Sequence, residues 1–205
     1  TVDRTAWVRL LIAGGTQVTV ALDSMRSPSI PADSLRPLDG TVWTGTLEEG
    51  RRLGALTSVR RTPLAEQVAL PMMRDLLPVL PETGARSGAT WWDSTTTPQR
   101  LAGAELPVTT VTDYRAAETA GARELAITGD TRVSAKDTSA TFGQPIEITA
   151  SGVRQRTWLL SAGGQLVSAE GSDSVAMTLD VPSVGQTVPA TQRTRFVVTR
   201  VGAAR

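Results

Sequence analysis

The sequence predicts a mainly β protein, an antiparallel meander forming a curved sheet, sandwich or half-open barrel, covered by one kinked helix at about 63–77. Three observations predict it. Apolar and polar residues alternate in many stretches, as in Val18, Val20 and Leu22, or Val175, Met177, Leu179 and Val181. That period of two marks a half-buried strand. Beyond residue 106, Gly, Asp, Ser and Pro return roughly every eight to twelve residues, the turn spacing of sandwiches and barrels. A single stretch, opening at Thr62-Pro63, carries a helical period.

Taken in order, residues 1–61 read as N-terminal β-hairpins. Thr5 to Ile12 is apolar and β-branched, Gly14-Gly15 turns it, and Thr16 to Leu22 alternates. Ser27 to Pro37 is rich in Pro, Ser and Asp and reads as a loop. Thr41 to Leu47 is the next strand, and Leu53 to Arg60 pairs back onto it. Residues 62–81 read as the kinked helix and a Pro-rich connector. Thr62 supplies a capping hydroxyl, and Pro63 stands where no N–H is needed. Leu64, Val68, Met72 and Leu76 recur every four residues, beside Met73, Leu77 and Leu80. Such a stripe lies on one side of a helix and covers an open β-layer. Pro71 kinks it, and Pro78 and Pro81 end it.

Residues 82–205 form the main meander. Glu82 to Gly88 reads as a polar loop, Ala89 to Ser94 as a short strand with adjacent tryptophans, and Thr95 to Arg100 as a loop. Leu106 to Ala117 is a long strand that Gly121 turns into Arg123 to Thr128. Gly129-Asp130 is a turn signal before Thr131 to Ala135, and the stretch around Lys136 reads as another turn. Gln144 to Ser151 and Arg154 to Ser161 follow as strands, and Ala162-Gly163-Gly164-Gln165 is a hairpin signal. Leu166 to Glu170 comes next, then a turn at Gly171 to Ser174 and the strand from Val175 to Val181. The last strand, Ala190 to Val201, places Phe196, Val198 and Arg200 opposite Arg195, Val197 and Thr199.

Composition removes several kinds of chemistry. The chain has no Cys and no His. Thiol nucleophiles, disulfides, zinc sites built on Cys or His and imidazole acid–base catalysis are therefore excluded. No G-x-S-x-G elbow, dinucleotide glycine motif, phosphate loop or calcium loop is present. Asp93, Asp113 and Glu147 are the candidate acid–base carboxylates, but no spacing gathers them, and solvated faces account for them. We expect no enzymatic activity, no cofactor and no metal site. A net charge of +1 gives no field for nucleic acid. No run of eighteen apolar residues exists to span a bilayer. The chain opens at Thr1 without Met, as a mature chain cut from a signal peptide or anchor would.

Several stretches carry a resemblance. They are Leu76-Leu77-Pro78-Val79-Leu80-Pro81, Gly88-Ala89-Thr90-Trp91, Leu106-Pro107-Val108-Thr109 and Thr191-Gln192-Arg193-Thr194. Over the region after residue 62 the chain resembles β-rich envelope proteins of GC-rich bacteria, and among them a periplasmic accessory subunit of a bacterial photosynthetic reaction centre. The resemblance implies a peripheral, periplasmic or otherwise extracytoplasmic domain docking on the periplasmic face of a membrane protein complex, with possible lipid contact. A carrier holding a lipid or other amphiphile in a half-barrel cavity is the alternative. The expected contact is Trp91 or Trp92, with Arg86 and Arg100 from the flanking loops as a polar rim. Neighbours on a strand face opposite ways, so one tryptophan is expected in the core and the other at the contact.

Overall fold

The computed structural model describes residues 5–13, 15–28, 30–48, 52–59, 65, 70, 73, 76–101, 104–119, 124–141 and 144–199. The protein is mainly β, with antiparallel sheets and one curled half-barrel. It divides into two compact units, Thr1–Thr83 and Gly84–Arg205.

The first unit holds β1 (Thr5–Ala13), β2 (Gln17–Arg26), β3 (Thr41–Glu48) and two short strands, β4 (Arg52–Leu53) and β5 (Thr57–Ser58), that pair back onto β3. Val18, Val20 and Leu22 are buried on one face of β2, as their alternation predicts. The pairing then slips: Val8 faces Leu22 but Trp7 faces Ser24, so Asp23 is an extra residue. This bulge changes the parity of the buried face, and Met25 is the next buried residue. Asp23 accepts paired hydrogen bonds from Arg9 at 2.7–2.9 Å. Those bonds, and the carboxylate charge, raise the Arg9 guanidinium above its ordinary value. The stretch expected as a loop at 27–37 contains a short helix, α1 (Ala32–Leu35), and a 3-10 turn, Arg36–Leu38. Leu35 and Leu38 are buried there, as is Trp43 on β3. Burial of those leucines explains why a Pro-, Ser- and Asp-rich segment folds into turns of helix.

Most of the expected helix, including Leu64, Val68, Pro71 and Met72, lies outside the described residues. Ala65, Leu70 and Met73 have helical backbone and are buried, as is Leu76 after them.

The second unit is one six-stranded meander. Its strands are β6 (Thr90–Leu101), β7 (Ala104–Glu118), β8 (Glu124–Thr141), β9 (Gln144–Ser161), β10 (Leu166–Val181) and β11 (Gln186–Thr199), each paired with its sequence neighbours. The Gly164 turn joins β9 to β10 as expected, with φ near 73°. Gly121, Arg200 and Val201, to which a turn and a strand end are assigned above, lie outside the described residues. The strands are far longer than the turn signals suggest. Gly129-Asp130, Lys136 and Gly171 to Ser174 all lie inside strands, and Gly152 joins two expected strands into β9. Thr95 to Arg100 is likewise strand, not loop. Its threonines hydrogen-bond across to β7, Thr95 to Thr110 at 3.0 Å and Thr96 to Thr109 at 2.9 Å. Pro98 is tolerated because β6 is an edge.

The sheet is strongly curled. Arg154 on β9 donates to Gln99 on β6 at 3.2 Å. In a flat sheet their Cα atoms would stand roughly 24 Å apart, given the strand spacing and rise, too far for the two side chains to meet. Leu106, Val108, Val133, Ala135, Ile148, Ala150, Val175 and Met177 form a core cluster on the inner face.

Met177→Asp places an unpaired charge in that cluster and lowers stability by about 4 kcal/mol or more. Ala176→Asp, on the exposed outer face, changes it by about 0.5 kcal/mol or less. Urea denaturation of the two variants checks the register, since a slip of one residue exchanges their effects.

Candidate functional site

Alternation along β6 separates the two tryptophans, and the partner strand decides which goes where. Trp91 faces Tyr114 on β7. Their rings stack at 5.2 Å between centroids and 9° between planes, and Tyr114 in turn meets Trp158 at 6.1 Å. Trp91 is therefore half-buried on the inner, aromatic end of the sheet. Trp92 faces Asp113 on the outer side and is 69% exposed.

The surroundings of Trp92 are polar. In the adjoining strands its row continues through Asp113, Asp130, Gln155, Ser172 and Arg195. Arg132 donates to Asp113 at 3.3 Å, and Gln155 to Asp130 at 3.4 Å. Arg115 pairs with Thr90 and stands diagonally from Trp92. Arg86 is exposed in the turn before β6. That turn is tied down, since the Ala89 N–H donates to the Arg86 carbonyl at 3.0 Å and the Gly88 N–H to that of Ala116 at 2.8 Å. Arg100 does not belong to this patch. It lies eight residues along the same strand, roughly 26 Å from Trp92 at the rise of a β-strand, because its segment is strand. Its side chain lies outside the description. The rim beside Trp92 is made by Asp113, Arg132 and Arg115, which the pattern of loops did not point to.

A second constellation lies on the inner face. Arg154, Arg156 and Asp173 meet there on β9 and β10. Arg156 donates to an Asp173 carboxylate oxygen, to the Ser172 carbonyl at 3.2 Å and to the Gln155 carbonyl at 3.0 Å. Arg154 Nε stands 4.0 Å from the other Asp173 oxygen. The Arg156 guanidinium also lies over the Phe196 ring, 4.5 Å from its centroid. Its side chain is 5% exposed. Thr112 and Thr131 share a hydrogen bond of 2.8 Å in the same belt. Arg154 and Arg156 share parity with Trp158 and Leu160, so the sequence held the signal that both point inward. The expected turn at 171–174 hid Asp173.

The three carboxylates weighed for acid–base chemistry are not gathered. Asp93 lies on the inner face of β6, while Asp113 and Glu147 lie on the outer faces of β7 and β9. Among the described residues no group of three acidic side chains is placed to hold a metal ion. No described helix is long and apolar enough to cross a membrane. No known protein family, curated protein or solved structure matches the chain.

Two stability measurements separate the roles of these residues. Trp91→Ala removes the stack on Tyr114 and lowers stability by about 2–3 kcal/mol, whereas Trp92→Ala changes it by about 0.5 kcal/mol or less. Asp173→Ala leaves two enclosed guanidinium groups without their shared carboxylate and costs about 3–5 kcal/mol. Thermal and urea unfolding of the three variants read these differences directly.

Proposed function

We propose that the chain is a non-catalytic interaction module that binds a partner protein through the outer face of its half-barrel, with Trp92 at the centre of the contact. The exposure of Trp92 carries this reading. A large aromatic ring stands in water among Thr, Asp and Arg side chains, and burying it against a partner removes that unfavourable contact. The exposed ion pair of Arg132 with Asp113 beside it provides the polar rim that such contacts use. In its specific form the partner is a membrane protein complex, met at its extracytoplasmic face, and an accessory subunit of a photosynthetic reaction centre is the example that the resemblance implies.

Packing of the inner face favours this module over an amphiphile carrier. The eight residues of the inner cluster are at most 8% exposed. Apolar side chains lining an open pocket would each expose surface to a solvent-sized probe.

Affinity capture from detergent-solubilised membranes of the source cells, with the tagged chain as bait, tests the proposal. Wild type is expected to retain a membrane complex, and Trp92→Ala to lose most of it while folding normally. Equal recovery by both proteins rules out Trp92 as the centre of contact. A bound lipid released from the purified chain on denaturation, with no protein partner, would favour the carrier.

A further inference from the structure

The edge of the sheet opposite to Trp92 has its own chemistry. β11 is the last strand, paired only with β10 among the described residues. None of its fourteen residues is buried. A long free edge presents unpaired N–H and C=O groups to any extended chain.

Pro189 fixes which groups these are. It stands opposite Thr178 on β10. Proline is accommodated at a pair whose polar backbone groups face away from the neighbouring strand. Pairing continues without a shift along β11, so Thr187, Thr191, Arg193, Arg195 and Val197 offer their N–H and C=O groups outward. Two of these five are arginines, and both side chains are exposed on the outer face. Among the described residues neither makes a hydrogen bond or ion pair. Glu170, inboard on β10, lines a shallow depression with Arg195 without forming a salt bridge to it. β11 contains no Asp or Glu.

We infer that the β11 edge takes up an extended acidic segment of a partner protein as a seventh strand, with carboxylates at alternate positions facing Arg193 and Arg195. Residues two apart on an added strand fall on one face, so an acid at every second position meets both guanidinium groups. A second copy of this chain does not suit the edge. Pairing two β11 strands brings four arginines together with no acid on either strand, and like charges across a ladder are unfavourable. The inference is independent of Trp92, which lies on β6 at the other edge.

The test uses the full chain and a synthetic peptide of about twelve residues with alternating Glu and Val, beside a version with Lys in place of Glu. The Glu peptide is expected to bind, to weaken as salt rises, and to slow amide exchange at Thr191, Arg193 and Arg195. R193E/R195E is expected to weaken that binding about tenfold, from the reversal of two cross-strand pairs. Thr191→Pro removes one outward N–H, leaves the ladder to β10 intact and is expected to reduce binding as well. Trp92→Ala leaves peptide binding unchanged, which separates this edge from the proposed contact. Absence of binding, equal binding of the Glu and Lys peptides, or slowed exchange away from β11 overturns the inference.

Discussion

Arg156 is permanently charged and nearly enclosed, and the middle of the half-barrel is arranged around that fact. A buried guanidinium needs a carboxylate, further acceptors and space. Asp173 supplies the charge, and the carbonyls of Gln155 and Ser172 share with it the hydrogens of the same Nη1. Space comes from the strands on either side, where the residues paired with Arg156 are Gly129 and Gly171. A Cβ on Gly171 would stand 2.4 Å from the Gln155 carbonyl oxygen and 2.6 Å from Arg156 Cδ. A Cβ on Gly129 would press on the rings of Trp158 and Tyr114 at 3.1–3.2 Å. Any larger residue at Gly171 forces the backbone or the arginine to move.

That arrangement explains the long strands. Gly129-Asp130 and Gly171 to Ser174 have turn composition, yet both remain in the ladder because their glycines make room for neighbouring side chains. Turn propensity is a local quantity, whereas the need for space is set by Arg156 and Trp158, many residues away in sequence. Uninterrupted strands then accumulate twist along their length. The curl brings Gln99 to Arg154 and closes a polar belt between the aromatic end of the inner face and its aliphatic end.

The sequence is most legible where alternation is uninterrupted. The hairpin of β1 and β2, the Gly164 turn and the buried pair Val175 and Met177 follow from period two and turn chemistry alone. It also showed that Trp91 and Trp92 must diverge, but the choice between them depends on Tyr114 across the ladder, which is a matter of register. Illegible were features with a non-local cause: the bulge at Asp23, the short helix that encloses Leu35 and Leu38, and the extension of β6 through Pro98. Pro98 faces Pro107, and the ladder from β7 to β8 begins at Val108, immediately beyond that proline. A proline without its hydrogen-bonding neighbour in view reads as a loop. The same residue at a sheet edge ends nothing.

The division between faces bears on where recognition can occur. On the inner face many polar groups are paired with each other, Arg156 and Arg154 with Asp173, Thr112 with Thr131 and Gln99 with Arg154, although Nε of each arginine is buried without a hydrogen-bond acceptor among the described residues. A ligand entering there would have to displace bonds between desolvated charges and restore equivalents for both arginines, which few groups can do. The outer face is different. Its hydroxyls and charges are solvated, so exchanging water for a partner's polar groups is close to neutral. Trp92 adds a large apolar surface to that background, and β11 adds backbone groups and two guanidinium side chains that have no partner among the described residues. Folding draws on none of the three, because each faces solvent in the isolated chain. Such features cost folding little to lose and gain free energy only where a second molecule covers them, which is the physical ground for putting the two proposed contacts on the outer face and on the β11 edge.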